Sequence, residues 1–396
     1  MQSEFDLVIY GATGFTGKLA AQYMMRPGIG DHLRVAIAGR NMQKLKEVQA
    51  ECIIKPTILI ADSTEPTSID NIVQQTNVVL SFAGPFAIYG EPVIASCIKF
   101  GKDYLDITGE TPFIHAMIKK YQQQALETGA RLIPFSGFDS IPADLSVYLG
   151  LTSANNRKIH LDSMSLYYQI RGGFNGGTLA SALNMAEQAR GELFSPDTLI
   201  PDSLSAHPSR PKLRPYFEPI LQRWTAPFFM GPINTAVVRR SAWLFSEINQ
   251  THADFQYEER LVMSKRFGYL KAILTSGILM GFGLVTANAR GRRLLRRFGP
   301  KPGEGPSEAI RHQGFFRGRL VCRSHGQCKL IVSMEGKGDP GNEITVALAC
   351  ESARLAVEKA FLPGRKGFLT PTFAFGDPLI QRLKDAGFHF NTEFIS

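Results

Sequence analysis

The run Phe5-Asp-Leu-Val-Ile-Tyr-Gly-Ala-Thr-Gly-Phe-Thr-Gly17 constrains this chain more than any other stretch. Leu7 to Tyr10 is a short apolar segment of the kind that forms a buried parallel strand. Gly11, Gly14 and Gly17 follow at G-x-x-G-x-x-G spacing, and Lys18 to Met25 reads as a helix. Strand, glycine turn and helix in that order make a dinucleotide-binding motif. Gly11 permits the tight turn, Gly14 lets the backbone approach a pyrophosphate, and Gly17 lets the helix pack closely on the strand. The free N–H groups and positive end of the helix then attract the phosphates. Ala12, Thr13, Phe15 and Thr16 fill the rest of the loop and are expected at the same ligand. The other reading is a structural turn without a ligand.

The pattern continues. Leu33 to Ala38 is a second strand, ending in Gly39-Arg40-Asn41. A site for NAD usually carries an acid here, for the ribose 2′-OH. Arg40 offers a guanidinium for a 2′-phosphate instead, so NADP(H) is the expected cofactor, with Asn41 beside it. Thr57 to Ala61 is a third strand. Asp62 and Ser63 follow, as adenine-edge contacts or as turn caps. Asn77 to Phe82 leads into Ala83-Gly84-Pro85-Phe86, the loop expected to pass the pyrophosphate and nicotinamide ribose. Asp103 to Ile107 and Arg131 to Phe135 are the fifth and sixth strands, with a helix at Pro112–Thr128 between them. Six strands alternating with helices predict an α/β fold, a doubly wound parallel sheet over residues 1–150.

Three strand ends bring polar side chains to one rim. Tyr89, Asp106, Glu110 and Asp139 are the candidate acid–base or substrate-orienting groups, with Ser140 and Asp144 beside them. Helix capping explains Glu110, Asp139 and Ser140 equally simply, since Pro142 suits a first helical turn. No tyrosine has a lysine four residues on, which excludes the Tyr-x-x-x-Lys chemistry of short-chain reductases.

The segments Gly-Ala-Thr-Gly-Phe-Thr-Gly17, Ala-Gly-Arg40, Tyr-Leu-Asp-Ile-Thr-Gly-Glu110 and Ser-Gly-Phe-Asp-Ser-Ile-Pro-Ala-Asp144 occur in order. Together they resemble the saccharopine dehydrogenase-like oxidoreductases, in the branch that includes the trans-acting enoyl reductases. Ala226 to Arg240 and Leu369 to Gly376 fit as well, so the resemblance covers nearly the whole chain. It implies an NADP(H)-binding Rossmann domain, a second α+β domain, and association with membrane or lipid. Its substrates range from an amino-acid conjugate to polyketide-derived lipid intermediates, as in lipid or glycolipid biosynthesis. The cofactor follows from the resemblance more directly than the substrate does.

Length supports two domains: 396 residues exceed one simple core. The second is expected at 151–345, and a C-terminal segment, 346–396, is placed to return to the first. Lys158 to Arg171 alternates as an antiparallel strand. Gly172 to Gly177 is a glycine-rich turn before a helix at Thr178–Arg190, and Leu199 to Pro219, rich in Pro and Ser, is a loop. Ala272 to Ala289 carries no charge and includes Gly277-x-x-x-Gly281. Arg290, Arg292, Arg293, Arg296, Arg297 and Lys301 follow directly, without an acid. This apolar–basic segment, 268–301, has three readings: a helix lying on or partly in an anionic membrane, a buried helix lining a lipid-sized pocket or a homodimer interface, or a full span. Gly299 to Pro306 is a linker. Gly314–Gly326 and Gln327–Gly336 form a hairpin, and Glu343–Phe361 a helix with Glu351 and Arg354 on its polar side.

A net charge of +9 allows nucleic acid, membrane or phosphorylated partners. The arginines cluster behind an apolar run, without aromatics interleaved on a sheet, so nucleic acid is not expected. Five cysteines without a C-x-x-C pair, and scattered histidines, argue against a disulfide framework or a metal site. A first strand at Phe5 leaves no room for a signal peptide. The expectation is a cytoplasmic, membrane-peripheral reductase of an apolar lipid-like substrate. The rival is an NADP(H)-sensing or membrane-surface binding protein without catalysis.

Overall fold

Short apolar runs separated by helix-length segments set the order of the first domain. β1 (Phe5–Tyr10), α1 (Phe15–Met24), β2 (Val35–Gly39), α2 (Met42–Glu51), β3 (Thr57–Ile60), α3 (Pro66–Gln74), β4 (Thr76–Ser81), α4 (Phe86–Lys99), β5 (Asp103–Asp106), α5 (Thr111–Thr128) and β6 (Arg131–Ile133) alternate strictly. The sixth strand ends earlier than expected, because Phe135 adopts a left-handed backbone with φ 64°. α6 (Ile141–Asn156) then carries the chain out of this domain. The computed structural model of the chain describes residues 3–173, 175–188, 195–201, 213–249, 255–299, 301 and 303–395. Phe174 of the glycine-rich turn, the expected helix end at 189–190, the stretch 202–212 and positions 300 and 302 of the linker lie outside the described residues.

The second domain comprises β7 (Ser163–Arg171), α7 (Gly176–Gln188), β8 (Tyr216–Glu218), β9 (Arg223–Pro227), α8 (Gly231–Asn249), β10 (Gln256–Val262), α9 (Gly268–Ala287), α10 (Ala289–Phe298), α11 (Glu308–His312), β11 (Phe315–Ser324) and β12 (Gln327–Lys337). β8 occupies the end of a stretch expected to be loop throughout. A single π turn, Pro340–Ile344, precedes α12 (Thr345–Val357). β13 (Gly367–Phe368), α13 (Pro371–Phe375), α14 (Asp377–Asp385) and β14 (His389–Phe394) complete the described elements.

Two seven-stranded sheets result, with orders β13-β6-β5-β4-β1-β2-β3 and β14-β12-β11-β7-β10-β9-β8. The first is parallel throughout, and its order reverses between β1 and β4, which opens a crevice above their carboxyl ends. In the second, β7 pairs parallel with β10 and antiparallel with β11. The C-terminal segment is divided between the two. β13 adds to β6 in the first sheet, and β14 adds to β12 in the second.

α12 packs against α1, β4 and β5, so both of its faces are covered. Glu351 is therefore buried rather than on a solvated face: it accepts from the Tyr23 hydroxyl at 2.8 Å and from Arg354 at 2.8 Å. Arg240 on α8 also joins the domains. Its guanidinium donates to the carbonyls of Leu199 at 2.6 Å and Phe368 at 2.8 Å.

Candidate active site

The glycine turn has the geometry its spacing predicts. Gly11 has φ +78°, and a Cβ there would meet the backbone of Ala83 at 2.7 Å. A Cβ on Gly17 would sit 2.3 Å from the Gly11 carbonyl oxygen, so only glycine lets α1 pack on the turn. At Gly14 a Cβ would meet nothing nearer than that oxygen, at 3.4 Å. Gly14 is therefore the open wall of the cradle, against which a phosphate group fits. Thr13, Phe15 and Thr16 are half-buried around it. Ala12 is not part of that wall: its methyl is enclosed and its N–H bonds the Ala38 carbonyl at 3.2 Å.

At the end of β2 the Arg40 side chain is exposed and makes no ion pair among the described residues. It is free to meet a 2′-phosphate. Asn41 is engaged locally, because its Oδ1 caps α2 by accepting from Lys44 N–H at 3.0 Å. Asp62 likewise accepts from Thr64 N–H at 3.0 Å, a bond that holds its carboxyl below the ordinary range. Ser63 is buried against the Tyr10 hydroxyl at 2.6 Å. All three polar groups brace the strand ends that frame the cofactor crevice.

A cavity of about 900 Å³ extends from this crevice between the two sheets. Its walls include Gly14, Phe15, Phe82, Gly84, Phe86 and Ile107 from the first domain. Phe228, Phe229, Met230, Leu279 and Met280 supply an apolar lining from the second. Ala83 and Pro85 are half-buried in the loop between Phe82 and Phe86.

Of the four expected acid–base groups, only Asp139 lines the cavity among the described residues. Burial pushes its carboxyl up to about 6, and no hydrogen bond within the described protein holds it. Ser140 does not cap α6 through its side chain; its hydroxyl faces Asn234 at 3.4 Å. Asp106 is fully enclosed. It accepts from the Tyr104 hydroxyl at 2.7 Å and the Thr108 N–H at 3.0 Å, so it fixes the end of β5. Glu110 caps a helix, but not its own. Its two oxygens accept from the Phe86 and Ala87 N–H groups at 2.9 Å each, at the start of α4, and the Ser181 hydroxyl donates at 2.8 Å. Tyr89 is half-buried on α4, away from the cavity lining. Asp106 and Glu110 share a cause: strand ends deliver polar residues to one rim, and these two satisfy backbone N–H groups there.

The sequence reading passed over Glu259. It sits on β10, is 6% exposed, and lines the cavity with Asp139. The Tyr257 hydroxyl donates to Oε1 at 2.7 Å and Asn234 Nδ2 to Oε2 at 2.8 Å. Burial, with the charge of Asp139 nearby, raises its carboxyl to about 8 despite those bonds. In the sequence Glu258-Glu259-Arg260 looks like a solvated charge run. The missed signal is strand alternation, which puts Glu259 on the same face as the buried Tyr257. Asp144, also raised to about 6 by burial, is held instead by the Thr372 N–H at 3.1 Å.

α9 forms the outer wall. Gly268 packs on Trp224 and Ala272 is enclosed, while Ser276, Leu279, Gly283 and Thr286 face the cavity. The remainder of the helix is an exposed apolar surface, with Leu274 63% and Leu284 74% exposed. It is the one described helix long and apolar enough to cross a membrane by length and composition. Its packing along β9 and over the cavity is that of a helix lying on the protein. α10 continues it with Arg290, Arg293 and Arg297, which make no ion pair among the described residues; Arg296 pairs with Glu187.

An open glycine cradle, an arginine after β2 with no ion pair among the described residues, and a cavity at the switch point define a Rossmann-type dinucleotide-binding protein. Residues 7–133 match the model of the saccharopine dehydrogenase NADP binding domain, so the dinucleotide is NADP(H). A provisionally named trans-acting enoyl reductase of Mycobacterium tuberculosis is 36% identical, covering 98% of this chain and 97% of that one. The trans-acting enoyl reductase of Mycobacterium bovis is 32% identical over 100% and 99%. The apo saccharopine dehydrogenase (L-Glu forming) of Saccharomyces cerevisiae shares the fold, with TM-score 0.61 at 13% identity over 99% and 100%. The chain belongs to the saccharopine dehydrogenase-like oxidoreductases, in the branch of the trans-acting enoyl reductases.

Proposed function

We propose that this protein is an NADPH-dependent reductase of a long apolar enoyl substrate, taken up at an anionic membrane surface. The observation that carries the reading is the apolar cavity of about 900 Å³, which runs from the glycine cradle to the inner side of α9. It is large for a small polar metabolite and suits an acyl chain. The relatives named as enoyl reductases support the same substrate class.

Gly14, Thr16 and Arg40 would hold the phosphates, and Gly84 and Phe86 would border the nicotinamide end. NADPH, when bound, supplies the hydride for the β carbon of the enoyl group. The α carbon then needs one proton. Glu259 keeps its proton at neutral pH, while Asp139, with the lower value, is ionised. Two carboxyls pushed apart in this way divide the roles of acid and charged neighbour. Tyr257 and Asn234 donate to the two Glu259 oxygens and so fix the carboxyl in the cavity wall. Asp139, ionised on the same cavity wall, favours the protonated form of Glu259 through its charge.

The exposed side of α9 and the unpaired arginines of α10 form a contiguous apolar and basic surface, suited to an anionic bilayer. The test is NADPH consumption with a long-chain trans-2-enoyl thioester presented in anionic or neutral vesicles, with flotation measured in parallel. Turnover is expected, with stronger flotation on anionic vesicles that is lost when Arg290, Arg293 and Arg297 are all changed to Glu. Tight NADPH binding without turnover of enoyl or carbonyl lipids would favour an NADP(H)-sensing protein. Equal flotation of both variants would sink the membrane part.

A further inference from the structure

The segment after α10 folds back over the glycine turn. A Cβ on Gly305 would meet the Phe15 ring at 2.4 Å, and one on Gly173 would meet Pro306 at 2.7 Å. The Glu304 carbonyl accepts from Gly176 N–H at 3.0 Å, which ties this strap to the start of α7. Phe15 is the first residue of α1 and lines the cavity. Above it stands Arg311 of α11, its Cζ 5.7 Å from the ring centroid.

Arg311 makes no ion pair among the described residues, and its Nε is enclosed without a hydrogen bond. The acids near it are engaged elsewhere. Glu304 accepts from Lys301 N–H at 2.9 Å, and Glu308 and Glu343 both face His312, at 3.2 and 3.1 Å. An enclosed N–H without an acceptor costs stability unless something supplies one. The positive end of α1, with Gly14 open beside it, is where the anionic centre of a bound dinucleotide would lie.

We propose that Arg311 is a phosphate-binding residue of the cofactor site, reaching the pyrophosphate from the second domain across Phe15. Arg311 and Arg40 then divide the work. Arg40 reads the 2′-phosphate that distinguishes NADPH, and Arg311 binds the pyrophosphate that NADPH and NADH share. A dinucleotide bound in this way is held by both domains, because the strap belongs to the chain between α10 and β11. The inference rests on the NADP(H) assignment and is independent of the substrate.

The test is fluorescence titration of the full chain with NADPH and NADH, for wild type, Arg311→Met, Arg311→Lys and Arg40→Ala. Arg311→Met keeps the length and the contact with Phe15 but removes the charge and donors. It should weaken both nucleotides by a similar factor, about tenfold or more. Arg311→Lys should recover part of that loss, and the wild type should bind less tightly as salt rises, with a steeper dependence than Arg311→Met. Wild-type affinity for both nucleotides in Arg311→Met would overturn the proposal and leave Arg311 as a packing partner of Phe15. A loss confined to NADPH would also overturn it, by placing Arg311 at the 2′-phosphate. Failure of the cofactor assignment itself would look different, since the wild type would then bind neither nucleotide.

Discussion

Glu259→Gln separates the acidic proton from the shape of the side chain. The carboxyl is buried, with its value raised from 4.5 to about 8. At about 1.4 kcal/mol per pH unit, that difference corresponds to about 5 kcal/mol, an upper figure. The sign follows from which state holds the proton. Below pH 4.5 both folded and unfolded chains are protonated at this position, and it contributes nothing to the pH dependence. Between 4.5 and 8 the unfolded chain releases the proton while the folded chain keeps it, so stability falls as pH rises. Above 8 the loss is complete. Glutamine does not titrate and removes this dependence. Its carbonyl can keep the Asn234 bond while its NH2 turns to Tyr257, whose hydroxyl must then accept instead of donate, a local cost of about 1–2 kcal/mol. In urea unfolding at pH 5, 7 and 9 the variant should be the less stable protein at pH 5. It should draw level or pass the wild type by pH 9. Asp139 and Asp144, both raised to about 6, are common to the two proteins and cancel in the difference. A difference that stays constant from pH 5 to 9 would refute the reasoning. In the enoyl assay the same variant should lose most of its turnover with NADPH affinity unchanged; retained turnover would remove Glu259 as proton donor.

Arg40→Ala should weaken NADPH binding by about tenfold or more and leave NADH unaffected, because only the 2′-phosphate is lost as a partner. Equal effects on both nucleotides in titration would place Arg40 elsewhere on the cofactor. Gly17→Ala puts a methyl 2.3 Å from the Gly11 carbonyl oxygen and forces α1 away from the turn. Thermal unfolding should register a loss of about 1–3 kcal/mol, and NADPH titration a much weaker complex. Normal affinity in this variant would mean that the phosphates do not depend on the position of α1.

The cofactor half of this protein was legible in the sequence because its physics is local. Gly11, Gly14 and Gly17 need only a turn of fixed shape, and Arg40 needs only the end of the next strand. The alternation of apolar runs and helices then allowed a doubly wound sheet, as observed. What happens at the rim depended on tertiary contacts. Glu110 looks like an acid beside a reaction centre, yet it caps α4, whose N-terminus lies 24 residues earlier in the chain. Asp106 is consumed by Tyr104, Thr108 and the backbone of Phe135. Glu351 has the spacing of a surface residue and becomes buried because α12 leaves the second domain to pack on the first. Glu259 reads as part of a charged strand and acquires its chemistry only when β10 turns it toward Asp139, 120 positions away in the sequence. The apolar run before the arginines was visible at once, but its three readings could not be separated by periodicity. The sheet beneath it decided that one side of α9 closes the cavity while the other stays exposed. A sequence fixes its turns, strands and helices through neighbours, whereas the desolvation of a carboxyl is set by whatever the whole fold brings against it.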